Sequence, residues 1–183
     1  MRNEAANYYL RLLGAWCGSF RFSVTDHRAL RASNAKRLTI AWMGMMSRLT
    51  GASVMSTTLS RAGGDGRTFN HTTRVTKWGV TVLDSHELIR VAEDGQRVHM
   101  TGEQSHGPFN KMPYEAPGKI DELASGAEYI IPWLGSTMVQ RTRILEDGMK
   151  LELTQKTDFS FASVTLIRQA PAQTSWQNRE PRA

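Results

Sequence analysis

The sequence predicts a mainly β protein: a single antiparallel up-and-down β-barrel of about eight to nine strands. An N-terminal helix precedes it, and a second helix lies between the first and second strands. Three observations carry this prediction. Period-two alternation of apolar and polar residues recurs in short runs along most of the chain. Two junctions between such runs are Asp-Gly dipeptides, a strong hairpin signal. The runs also follow one another hairpin by hairpin, and closing such a meander protects the strand edges it would otherwise expose. A β-sandwich is the alternative, but it favours Greek-key crossings over a meander.

Asn3 to Leu13 can form a short helix with Tyr8, Leu12 and Leu13 near one side, and Gly14 ends it. Trp16, Gly18, Phe20, Phe22 and Val24 then alternate with Cys17, Ser19, Arg21, Ser23 and Thr25, a strand with its aromatic face inward. From Asn34 to Leu49 the period changes. Leu38, Trp42, Met45 and Leu49 recur at helical spacing, and Ile40, Met43 and Met46 widen the stripe. Gly44 costs such a helix about 1 kcal/mol relative to alanine and suggests close packing. The Met-rich stripe reads as core packing, as a lid of adaptable thioethers over a pocket, or as a membrane-surface helix.

After Gly51 the reading is all β. Strands over Ser53–Arg61, Arg67–Thr76 and Val80–Ala92 are joined by turns at Ala62–Gly66 and Trp78-Gly79. A tight turn at Asp94-Gly95, with φ > 0 at both positions, sets the next register. Val91, Ile89 and Glu87 then share an apolar face with Val98, Met100 and Gly102, while Arg90 and His86 share a charged face with His99 and Glu103. The apolar face should point inward, which leaves Glu87 as its misfit. His106 to Gly126, with Pro108, Pro113 and Pro117, reads as a long loop with one helical turn at Asp121–Ala124, and loops of this length often serve as lids. Tyr129–Trp133 is short and apolar, and Pro132 marks a sheet edge or bend.

The second hairpin, around Asp147-Gly148, pairs Ile144 with Leu151, Thr142 with Leu153, Gln140 with Gln155 and Met138 with Thr157 on its apolar side. Arg143 with Glu152, Arg141 with Thr154 and Val139 with Lys156 form the other side. Phe161 to Arg168 supplies the final strand. Residues 1–169 therefore make one barrel domain, and the polar tail of residues 170–183 reads as disordered.

Composition narrows the function classes. The 183 residues are 40% hydrophobic and 22% charged, ordinary for a globular protein. No apolar run reaches the roughly 20 residues of a membrane span. The N-terminus lacks the pattern of a secretory leader, so the protein is expected in the cytoplasm. The single cysteine, Cys17, excludes an internal disulfide. Cys17 is either a nucleophile or, as its strand position favours, a small apolar filler. The net charge of +6 raises nucleic acid as a partner. The basic residues are dispersed, however, so a solvated surface and no nucleic-acid partner is the reading. The sequence leaves a homodimer open.

Gly14-Ala15-Trp16, following a short helix, is similar to the glycine-x-tryptophan that opens a lipocalin barrel. With it the chain resembles the calycin superfamily of lipocalins, fatty-acid-binding proteins and relatives. In that superfamily a late arginine often packs over this tryptophan, and Arg168 is the match. The helix between the first two strands looks like the fatty-acid-binding branch, whose helices cap the barrel. The resemblance implies a cavity for a small hydrophobic ligand and, in some relatives, an enzyme that isomerises or cyclises it.

Inside such a barrel the inward polar residues are Glu87, Ser85, Gln140, Gln155, Thr142 and Thr157. A few polar groups in an apolar wall are what orients a small molecule. Gln140 and Gln155, directly opposed, could equally bond to each other. Glu87 is a candidate general acid or base, because burial raises a carboxyl pKa; the bland alternative is a solvated or arginine-paired carboxylate. One register of the preceding strand sets His71 beside Glu87, and the other sets Asn70, Thr72 and Arg74 there. A Glu87–His71 pair could shuttle protons in an isomerisation, cyclisation or dehydration without a cofactor. Trp16, Phe20, Trp42, Met46, Met100, Tyr129, Trp133 and Met138 complete the predicted ligand wall or lid. His86 and His99, on the outer face near Glu103, make an incidental cluster rather than a metal site, and no metal motif is present. The function classes left are a cofactor-independent enzyme, a non-catalytic carrier of the same ligand, and an interaction protein using the basic surface.

Overall fold

A computed structural model describes residues 4–33, 35–48, 53–107, 111–121 and 123–170. Helix α1 (Glu4–Leu12) leads into β1 (Gly14–Val24), and α2 (His27–Ala32) and α3 (Arg37–Arg48) separate β1 from β2 (Ser53–Arg61). A meander follows: β3 (Thr68–Lys77), β4 (Val80–Val91), β5 (Arg97–His106), β6 (Met112–Ile120) and β7 (Gly126–Trp133). It continues through β8 (Ser136–Leu145), β9 (Lys150–Lys156) and β10 (Ser160–Arg168). Each strand pairs antiparallel with its neighbours in sequence, and β1 pairs with both β2 and β10, so ten strands close a barrel.

The tenth strand corrects the expected eight to nine. It is β6, inside the stretch expected to be a loop. A proline cannot donate into a ladder, so Pro113 and Pro117 must turn their nitrogens away from β5, with which they are in register. On the other side β6 pairs with β7 only from Gly118 to Ile120, so the missing donors break no ladder bond there. Pro132 of β7 lies on the same open seam, which agrees with the edge it was expected to mark. The loop and its lid role are thus withdrawn for residues 112–120; Pro108 lies outside the described residues. Beyond β6 the Ala124 amide donates to the Asp121 carbonyl at 3.0 Å, and Glu122, within the expected helical turn, lies outside the described residues.

Both Asp-Gly hairpins have the expected registers. Val91 faces Val98, Ile89 faces Met100 and Glu87 faces Gly102. Ile144 faces Leu151 and Gln140 faces Gln155. The turns themselves differ from expectation, because Gly95 (φ 71) but not Asp94 has positive φ. The Asp94 carboxylate instead accepts from the Gln96 and Arg97 amides at 3.0 and 3.1 Å. Paired positive φ occurs at Trp78-Gly79 (52 and 79) and Leu134-Gly135 (52 and 77), the two tightest connections.

The helices close the two ends. At one end α1 buries Tyr8, Tyr9 and Leu12 against Trp16 and the barrel floor. At the other, α2 and α3 lie over the mouth. Asp26 caps α2, accepting from the Arg28 and Ala29 amides at 2.7 and 3.0 Å; no apolar period marks this short helix in the sequence. In α3 the barrel side carries Thr39, Trp42, Met43 and Met46, while Leu38 and Met45 are 67% and 45% exposed. The stripe centred on Leu38, Trp42 and Met45 is corrected accordingly, and Leu49 lies outside the described residues. A helix apolar on most sides has no unique inward face by period alone; the barrel mouth selects one. Nothing lies within 4 Å of where a Gly44 Cβ would be, so that glycine marks no close packing. Among the described residues no helix is long and apolar enough to cross a membrane.

Candidate functional site

The helix-pair end of the barrel encloses a cavity of about 400 Å³, within the range of about 300 to 1,000 Å³ common for small-molecule sites. Its walls are the inward rows of the strands where they reach this end: Phe20 and Phe22 of β1, Leu83 of β4, Trp133 of β7, Met138 of β8 and Ala162 of β10. Trp42, Met43 and Met46 of α3 form its roof. Gln155 stands at its floor, donating at 2.7 Å to the amide oxygen of Gln140 across the β8–β9 pair.

A polar group faces this space on the β5 side. The inward row Val98, Met100, Gly102 continues to Gln104 and His106, both buried. His106 Nε2 accepts the Trp133 indole N–H at 3.1 Å and lies 2.9 Å from the Gln104 side-chain nitrogen. Burial lowers the His106 pKa from 6.5 to about 4, so the ring is neutral at physiological pH. Lys77, the last inward residue of β3, is buried in the same wall with its amine 5.5 Å from the Trp78 ring centre.

The second hollow, about 50 Å³, lies at the α1 end. Tyr8, Tyr9, Trp16, Met100, Tyr129, Gln140 and Thr142 line it. Its hydroxyls answer one another: Tyr8 bonds to Thr142 at 2.5 Å, and Tyr9 to Tyr129. Burial raises the Tyr8 and Tyr129 phenols far above their ordinary pKa, so both stay protonated.

Glu87 and His71 meet. The β3 register sets His71 opposite Glu87, and the imidazole Nδ1 bonds the carboxylate. Gly102, opposite on β5, gives the acid room: a Cβ there would stand 2.9 Å from Glu87 Cγ. The other carboxylate oxygen accepts from the Tyr114 hydroxyl at 2.5 Å, and His71 Nε2 lies 2.6 Å from the Thr57 hydroxyl. Burial alone would raise the Glu87 pKa, but the His71 charge and the hydrogen bonds from His71, Tyr114 and Ser85 outweigh it and hold the carboxyl below its ordinary value. The expected upward shift is therefore corrected. Glu87 is an ionised, fully bonded carboxylate.

Three solved structures share this architecture across nearly their whole length. Rv2717c from M. tuberculosis superposes with a TM-score of 0.57 at 13% identity, covering 91% of this chain and 98% of that one. Fatty-acid-binding protein 1 of Echinococcus granulosus gives 0.54 at 10% identity, covering 88% and 99%. The REP1-NXSQ fatty acid transporter gives 0.52 at 11% identity, covering 88% and 98%. The fold is a calycin-type barrel. No family model matches the chain, and no curated protein matches it in sequence.

The expected packing of Arg168 over Trp16 at the barrel's foot is present. The Arg168 guanidinium lies 4.4 Å from the centre of the Trp16 ring. It also donates to the Leu13 carbonyl at 2.7 Å and to the Arg11 carbonyl, which fastens the end of α1. Trp16 itself donates to the Leu12 carbonyl at 2.8 Å.

The calycin-type barrel divides the expected ligand wall in two. Phe20, Trp42, Met46, Trp133, Met138 and Gln155 line the large cavity. Trp16, Met100, Tyr129, Gln140 and Thr142 line the small hollow instead. Ser85 is buried against Glu87, and Thr157 caps the β9–β10 turn, accepting from the Phe159 and Ser160 amides at 3.1 and 3.0 Å. His86 pairs with Asp84 and His99 with Glu115, while Glu103 pairs with Lys111. Lys77, Gln104 and His106 join the site without having been singled out by sequence reasoning. Their signal was the alternation itself, which extends the inward rows of β3 and β5 to the rim.

Proposed function

We propose that the protein is a non-catalytic carrier that encloses a small hydrophobic molecule at the helix-pair end of the barrel. The observation that carries this reading is the cavity of about 400 Å³, walled by aromatic and thioether side chains and marked by a few polar groups. Two proteins of the same fold are named for binding or transporting fatty acids, and a fatty-acid-like chain is the ligand class we infer. Rearrangement of the ligand by Glu87 and His71 is the less favoured reading. Neither residue lines the large cavity, and both are engaged by protein partners. A cytoplasmic location belongs to the same proposal.

Native mass spectrometry of protein purified without delipidation should reveal a retained apolar molecule. Displacement of anilinonaphthalene sulfonate by dodecanoic acid should saturate at one ligand per chain. Filling the cavity with Ala162→Phe should abolish displacement while the protein stays folded. Unchanged displacement in that variant would place the ligand elsewhere and end the proposal.

A further inference from the structure

His106 is the last residue of β5 and stands where two hollows meet. The large cavity lies on one side; on the other a groove of about 580 Å³ runs along the barrel wall beside Met112, Tyr114 and Pro132. Gln104, His106 and Trp133 line both. The groove follows the seam left open where β6 and β7 do not pair.

The imidazole is fixed in one tautomer. An indole N–H only donates, so the bond from Trp133 at 3.1 Å makes His106 Nε2 an acceptor. The neutral ring, with its pKa lowered by burial to about 4, therefore carries its proton on Nδ1. Among the described residues no protein group accepts from that Nδ1, and no buried side-chain nitrogen or oxygen is sealed away without a partner. Nδ1 consequently opens onto the space that His106 lines. Its direction is held by Trp133, which stacks on Phe159 at 5.7 Å between ring centres. A nearly buried donor left without a protein partner where the two hollows meet recognises an acceptor and penalises its absence.

Resting on the carrier reading above, we propose that His106 is the ligand's polar anchor. Its Nδ1–H donates to an oxygen of a carbonyl or carboxylate on a molecule whose apolar body fills the cavity. The oxygenated end then lies at the β6–β7 seam and the chain runs inward beneath α3.

Three matched probes test this: dodecanoic acid, methyl dodecanoate and dodecane, each displacing anilinonaphthalene sulfonate from wild type and from His106→Phe. Wild type should bind acid and ester about 10-fold or more tightly than dodecane. In His106→Phe both should lose that advantage, while dodecane changes by less than about 2-fold. A preference for the acid alone would assign the anchor to a cation such as Lys77 and overturn the role of His106. Equal losses for all three probes would also overturn it, leaving carriage intact. Failure of wild type to bind any probe would sink carriage and the anchor together. Independently of folding in the variant, imidazole ¹⁵N spectra of wild type should show a protonated Nδ1 whose proton resonance moves with methyl dodecanoate and not with dodecane. No movement with either probe would contradict the assignment.

Discussion

At the α1 end of the barrel, polar groups and aromatic rings answer one another and leave only about 50 Å³ of space; at the helix-pair end the same strands leave about 400 Å³. The difference lies in what covers each opening. The α1 end is plugged by tyrosines inserted from a helix that Arg168 fastens by its terminal carbonyls. The helix-pair end is roofed by α3, which rests Met43, Met46 and Trp42 on the mouth without filling it. On the proposed carrier reading one end serves stability and the other binding, and polar residues have different tasks at each. Around the α1 hollow they satisfy one another. At the other end His106 keeps a donor facing open space.

Removing the Trp16 side chain should break the comparison hardest. Trp16→Ala deletes a fully buried ring from the plugged end and should cost about 4 kcal/mol in chemical denaturation. Probe affinity of the molecules that remain folded should hardly change. Loss of binding at intact stability would mean that the α1 end is the ligand site.

Next in size is the acid response of His106. Its folded pKa, about 4, lies below the ordinary 6.5, so between these values the unfolded chain binds the extra proton. Its contribution, roughly 3 kcal/mol, is complete above pH 6.5 and fades as the pH falls toward 4. Denaturation of wild type and His106→Phe across this range should show a steeper fall in wild type. Parallel profiles would mean that the ring is not buried neutral.

Smaller again is Glu87→Gln. It keeps the shape but removes the charge beside His71, and should cost about 2 kcal/mol with probe affinity unchanged. A selective loss of ligand chemistry in that variant, at unaltered stability, would restore Glu87 to the function. The smallest effect belongs to Leu38→Ser on the exposed side of α3, within about 0.5 kcal/mol. A larger cost would show that α3 turns its other face inward.

The order of residues carries the registers well, because parity across each Asp-Gly hairpin leaves one arrangement with an apolar face. That parity alone places Glu87 beside Gly102 and Gln140 beside Gln155. Strand β6 is hidden by Pro113 and Pro117, since a proline is harmless in a strand only when its open side has no partner, and partners are a tertiary fact. The inward side of α3 is hidden for a similar reason: apolar residues surround most of the helix. His106 is legible in the inward row of β5, yet it also borders the proline-rich stretch whose composition suggests a loop. Its tautomer depends on Trp133, 27 residues away, and no local pattern reports that contact.

Two-dimensional NMR of the methyl and aromatic groups, titrated with dodecanoic acid, measures most directly which end is built to bind. Shift changes should concentrate at Phe20, Met43, Met46, Leu83 and Met138 around the large cavity, while Tyr8, Leu59, Ile89 and Leu151 around the α1 hollow stay in place. Changes confined to the second group, or none at saturating ligand, would contradict the division of the barrel into a binding end and a structural one.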